Sequence, residues 1–206
     1  MKRTIMVALG CVSVLLAPAS ALAGRGDSVD PGIMQPALNP AFGPWECWRT
    51  GAGITCDGES HDSWTNAETF IVCDGRPVYS TGTDDRTLER HGDQHGLALW
   101  SRSQGDVPET FSMQPDGSGP TLRATGSFEI HYDYGVPGDG STRTARWTGI
   151  DLKVVGRGVG LVLHDVGVKT FDIDGEVIFR HGPHPVVDDF DGAFQKVCDA
   201  FEALGA

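Results

Sequence analysis

Cationic residues are scarce in this chain: 16 Lys and Arg stand against 28 Asp and Glu, a net charge of −12. That balance excludes a basic groove for nucleic acid and argues against anionic lipid as the main partner. Long apolar runs are missing beyond residue 23, so no transmembrane segment is expected there. No Cys-x-x-Cys pair occurs, which removes the commonest zinc-site spacing. Neither Ser28 nor Ser118 is accompanied by a recognisable His and Asp segment, so neither has the base and orienting acid that a nucleophile needs.

What is present begins with an export signal. Lys2-Arg3, the apolar run from Ile5 to Leu16, and Ala21 and Ala23 in Ala-x-Ala spacing have the three parts of a secretory signal peptide, placed over residues 1–23. Cleavage removes Cys11 and leaves Cys47, Cys56, Cys73 and Cys198. An even number of cysteines in an exported chain implies two disulfides, with three possible connectivities. Cys47 and Cys56 flank a hairpin-like segment containing Gly51 and Gly53, so they are expected to pair, which leaves Cys73 for Cys198. The expected location is secreted, extracellular or cell-envelope associated.

Glycine (28) and proline (12) make up roughly a fifth of the 206 residues, which points to a loop-rich domain with room for one core. Residues 24–44 have no apolar period and read as a flexible leader, and residues 45–206 read as a single β-rich domain. Strands are expected at 69–73, 97–101, 121–134, 144–155, 160–166, 168–173 and 176–179. In the longest, Phe128, Ile130, Tyr132 and Tyr134 share one face while Glu129, His131 and Asp133 share the other, the period of a half-buried strand. Asp-Gly occurs six times, from Asp57-Gly58 to Asp191-Gly192, and is a tight-turn signal. Phe190, Phe194, Val197, Cys198, Phe201 and Leu204 fall at helical spacing behind an Asp188 or Asp189 cap, which predicts a helix over 188–204. The expected fold is all-β, an antiparallel meander closing into a barrel or sandwich, with one C-terminal helix.

Three stretches carry a resemblance: Val72-Cys73-Asp74-Gly75-Arg76-Pro77-Val78-Tyr79, then Gly160-Leu161-Val162-Leu163-His164-Asp165-Val166-Gly167 through Asp172 and Gly175 to Phe179-Arg180-His181-Gly182-Pro183-His184, and the closing Val197-Cys198-Asp199-Ala200. Together they resemble small exported β-rich proteins of unassigned function from high-GC Gram-positive bacteria, over roughly residues 70–204. The resemblance implies export, the meander and the Cys73–Cys198 pairing, and it supplies no catalytic residues.

Candidate sites come from the residues themselves. On a barrel-lining strand, Glu129, His131 and Asp133 would form an acid–histidine group able to move protons in a dry pocket. Trp45 and Trp48, beside a disulfide-stiffened hairpin, suit carbohydrate stacking or a protein contact. His181, His184 and Asp188 gather nitrogen and oxygen donors for a divalent ion, although Gly-Pro and His-Pro breaking the last strand and the aspartates capping the helix explain them better. No cofactor is expected. The reading is an exported binding or interaction module, more a binder than an enzyme, whose partner is a small apolar ligand, a glycan or a protein. The alternative is a cell-envelope enzyme using the Glu129, His131 and Asp133 face.

Overall fold

The computed structural model describes residues 26–206, so the signal peptide expected over 1–23 lies outside the described residues. Nine strands run as β1 (Asp27–Ser28), β2 (Glu46–Thr50), β3 (Gly53–Cys73), β4 (Arg76–Gly92), β5 (Ala98–Ser112), β6 (Thr121–Tyr134), β7 (Arg143–Gly156), β8 (Gly160–Phe171) and β9 (Val177–His181). Each pairs antiparallel with the next in one sheet of order β1 to β9. The meander is therefore as expected, but the described strands neither close into a barrel nor divide into a sandwich. Two helices follow, the single turn α1 (Pro185–Asp188) and α2 (Phe190–Ala203), where one helix over 188–204 was expected. Asp189 caps α2 by accepting a hydrogen bond from the Gly192 N–H at 3.0 Å.

Alternation decides which face is covered. Along β6, Leu122, Ala124, Gly126, Phe128 and Ile130 are buried while Thr121, Arg123, Thr125 and Ser127 are exposed. The cross-strand register extends this division over the sheet, since Cys56, Arg90, Ser101 and Tyr132 lie side by side, as do Trp64, Gly82, Glu109 and Ala124. Two separate clusters occupy the covered face. At one end Phe194, Val197 and Phe201 of α2 pack on Val78, Phe111, Leu122, Val154 and Leu163. At the other end Met34 packs with Ile54 and the Cys47–Cys56 bridge, joined by Ile33, Leu38 and Trp45.

The second cluster shows what the leader does. Residues 26–44, expected to be flexible, instead form a strap held by local caps and by one buried cation. Asp30 and Asn39 accept backbone N–H bonds at the 3-10 turns Pro31–Ile33 and Pro40–Phe42, and Arg90 donates to the Pro36 carbonyl at 2.9 Å. Such interactions leave no apolar period to read in the sequence. The strap also explains Asp57-Gly58, which lies within β3 and makes no turn. A side chain at Gly58 would meet the Phe42 carbonyl at 2.5 Å, so glycine gives the strap its close approach. Asp74-Gly75 behaves as expected, with φ of 49° and 76° at a two-residue turn between β3 and β4.

Both disulfides, Cys47–Cys56 and Cys73–Cys198, are present, and such bonds suit an oxidising compartment. The first joins directly opposed residues of β2 and β3. The second spans 125 residues and fastens α2 to the end of β3. No described helix is long and apolar enough to cross a membrane. Replacing both Cys73 and Cys198 with Ala is expected to lower unfolding stability by about 2–5 kcal/mol. Urea denaturation followed by circular dichroism measures it, and an unchanged midpoint would show that α2 docks without the bond.

Candidate functional site

The uncovered face is polar, and its register builds a trough. Trp48, Thr55, His91, Trp100 and Asp133 form one cross-strand row. Asp57, Glu89, Arg102 and His131 form the next, and Glu59, Thr87, Gln104 and Glu129 the one after. Three adjoining depressions of about 300, 320 and 540 Å³ follow these rows across β2 to β5, with Gly43 and Pro44 of the strap at their margin. They share Glu59, and their walls include Trp48, Asp57, Glu89, Arg102 and Gln104. Arg102 donates to Glu89 at 2.9 Å and Gln104 to Glu129 at 3.0 Å, so the floor of the trough is braced by hydrogen bonds across strands.

At the far end His61 faces Asp85 directly across β3 and β4 and bonds to it. The hydrogen bond to the Asp85 carboxylate, helped by its charge, holds the His61 imidazole above the usual histidine range. Chemically the trough offers carboxylates, an amide, a guanidinium and one indole, a set suited to hydroxyl-bearing or peptide-like ligands.

The candidate residues fall in different places. Glu129 reaches the margin of the trough through Gln104. His131 stacks on Trp100 with ring centroids 5.8 Å apart, and its Nε2 lies 3.2 Å from Asp133 Oδ1. An open sheet has no lumen, so the barrel-lining placement of Glu129, His131 and Asp133 does not hold: their face is open to solvent, with Asp133 69% exposed. Trp48 lines the trough. Trp45 instead packs with the strap, donating its indole N–H to the Asn39 carbonyl at 2.9 Å.

His181, His184 and Asp188 are not brought together. His184 is buried, with Nδ1 2.8 Å from Asp165 Oδ1 and Nε2 3.2 Å from the Val168 carbonyl, whereas His181 is exposed and Asp188 pairs with Arg180. Among the described residues no group of three or more His, Cys, Asp or Glu side chains is placed to hold a metal ion.

Sequence reasoning missed the trough acids and Arg102, although Arg102, Gln104 and Asp106 alternate with Ser101, Ser103 and Gly105 in the period that would have found them. It also missed a buried ion network on the covered face. Asp165 accepts from the Val186 N–H at 3.1 Å as well as from His184, and the Lys169 ammonium lies 3.7 Å from it while contacting Asp151. Elsewhere on that face Trp64 donates to Ser80 at 2.7 Å, and Ser80 donates to Glu109 at 2.6 Å. Burial pushes the Glu109 carboxyl up despite that bond. Compared with protein-family models, curated proteins and solved structures, the chain gives no match.

Two pH effects follow. In an NMR titration His61 is expected to show a midpoint above about 6.5, and Asp85→Asn should bring it back down, whereas an unmoved midpoint would remove Asp85 as the cause. Glu109, with its folded value raised, contributes stability below the usual carboxylate range and loses it as pH rises through the raised value. Glu109→Gln is therefore expected to raise the melting temperature at neutral pH, with the gain vanishing as the pH falls below about 4.

Proposed function

We propose that the protein is an exported binding module that grips an extended polar ligand, a glycan or a polypeptide segment, in the trough of its uncovered face. The observation that supports this reading is the continuity of three depressions along β2 to β5, lined by Trp48 and by carboxylates held in register. A polar lining of this kind favours a glycan or protein over a small apolar ligand, because an apolar guest would strip water from the carboxylates without replacing its hydrogen bonds. Long central strands hold the groups rigidly, so little ordering entropy is lost on binding. Export rests on the amino-terminal pattern, and it accords with the resemblance of residues 70–204 to exported β-rich proteins.

The second reading, a cell-envelope enzyme, draws on the contact of His131 with Asp133 beside the trough, with Glu129 across Gln104. It requires turnover, which a panel of cell-wall glycan fragments distinguishes from binding by product analysis. On the binding reading, Trp48→Ala should weaken capture of the best fragment or peptide about tenfold, roughly 1.4 kcal/mol. Trp45→Ala should lower stability and leave affinity in place. Affinity that survives Trp48→Ala would remove the trough as the ligand site.

A further inference from the structure

The buried network on the covered face contains a lysine, a contacting carboxylate and a third group able to carry a proton between them. Lys169 on β8 has its side chain 6% exposed, and its ammonium contacts Asp151 Oδ2 on the adjacent strand β7. Asp151 sits at a register irregularity between Ile150 and Leu152, where the extra residue breaks the regular ladder between β7 and β8. Asp165, with no exposed side-chain surface, lies 3.7 Å from the same Lys169 nitrogen and is fixed by His184 and by the Val186 N–H. The Trp147 ring stands 5.6 Å from that nitrogen, and its own buried indole N–H has no partner.

We propose that Lys169 and Asp151 condense into an amide that crosslinks β7 to β8. Asp165 accepts a proton from the Lys169 ammonium, and the freed amine attacks Cγ of Asp151. The Nζ–Cγ bond forms and one Cγ–Oδ bond breaks. Of the three ammonium protons one stays on the amide nitrogen, and two leave with the departing oxygen as water, one of them carried by Asp165. Charge and atoms balance without an oxidant or a cofactor: an ammonium and a carboxylate become a neutral amide and water. Holding the two groups in contact makes the step intramolecular. The largely buried setting favours it further, since the product removes an ion pair whose desolvation is costly. His184 acts as a positioning residue for Asp165.

Intact mass spectrometry of the purified chain tests this, after full reduction and with its N-terminus fixed by tandem sequencing. The expected mass is one water below that of the sequence, with fragmentation revealing a peptide from β7 linked to one from β8. Lys169→Arg should restore the full mass, and Asp165→Asn should restore it wholly or in part while near-ultraviolet circular dichroism remains native. A full mass in the natural chain overturns the proposal. So does a water loss that persists in Lys169→Arg or is reversed by mild alkali, because cyclisation at one of the Asp-Gly pairs loses the same mass. The linked peptide in the natural chain decides the matter by itself if the variants do not fold.

Discussion

One uninterrupted sheet has one apolar face to bury and no second sheet to bury it against. In this protein the two ends of the described chain supply the cover. The strap of residues 26–44 lies over the Cys47–Cys56 end, and α2 lies over the end where β3 turns into β4. Each lid is fastened by something stronger than apolar contact: Arg90 bonds to strap carbonyls, and Cys73–Cys198 ties down the helix. Without these fastenings both lids would leave large apolar surfaces open to water, at a cost that scales with the area exposed.

Between the lids the covered face changes character. Arg86 grips Asp84 and lies over the Phe128 ring, and Lys169, Asp151, Asp165 and His184 form the buried network nearby. Buried charges of this kind stabilise when every partner is present, and loss of one leaves another uncompensated. The middle of the sheet is thus held by specific pairing where the ends are held by packing. The opposite face carries no lid, and its cross-strand pairs brace a trough.

The expected strands and helix trace how much of this was legible. The strand over 121–134 could be read residue for residue because Leu122, Phe128 and Ile130 alternate cleanly with polar neighbours. The helix pattern from Phe190 to Leu204 was equally clear, and Cys198 on its stripe pointed to the long bridge. Most of β4 and the middle of β3 were illegible, because Ser60-His61-Asp62-Ser63 and Thr83-Asp84-Asp85-Arg86 are polar on both faces. Asp57-Gly58 misled, since glycine there serves close packing. Gly167 split β8 into two expected strands, although the ladder runs through it. The trough was out of reach for another reason: its walls come from four strands, and period alone does not set their mutual register. His184 looked like a surface ligand in Gly-Pro-His-Pro, and only the fold turns it inward onto Asp165.

The strictly sequential strand order has a kinetic side. Every strand finds its partner in the segment made just before it, so pairing advances hairpin by hairpin with short loops to close. The Cys47–Cys56 hairpin is complete once β3 is made, whereas α2 follows all nine described strands. Until it docks, Val78, Phe111 and Leu122 lie bare on an otherwise assembled sheet, the kind of surface that invites association between chains. The closing disulfide is then a latch on the last step of assembly, and the vulnerable interval of this protein's life is the time between a finished sheet and an oxidised Cys198.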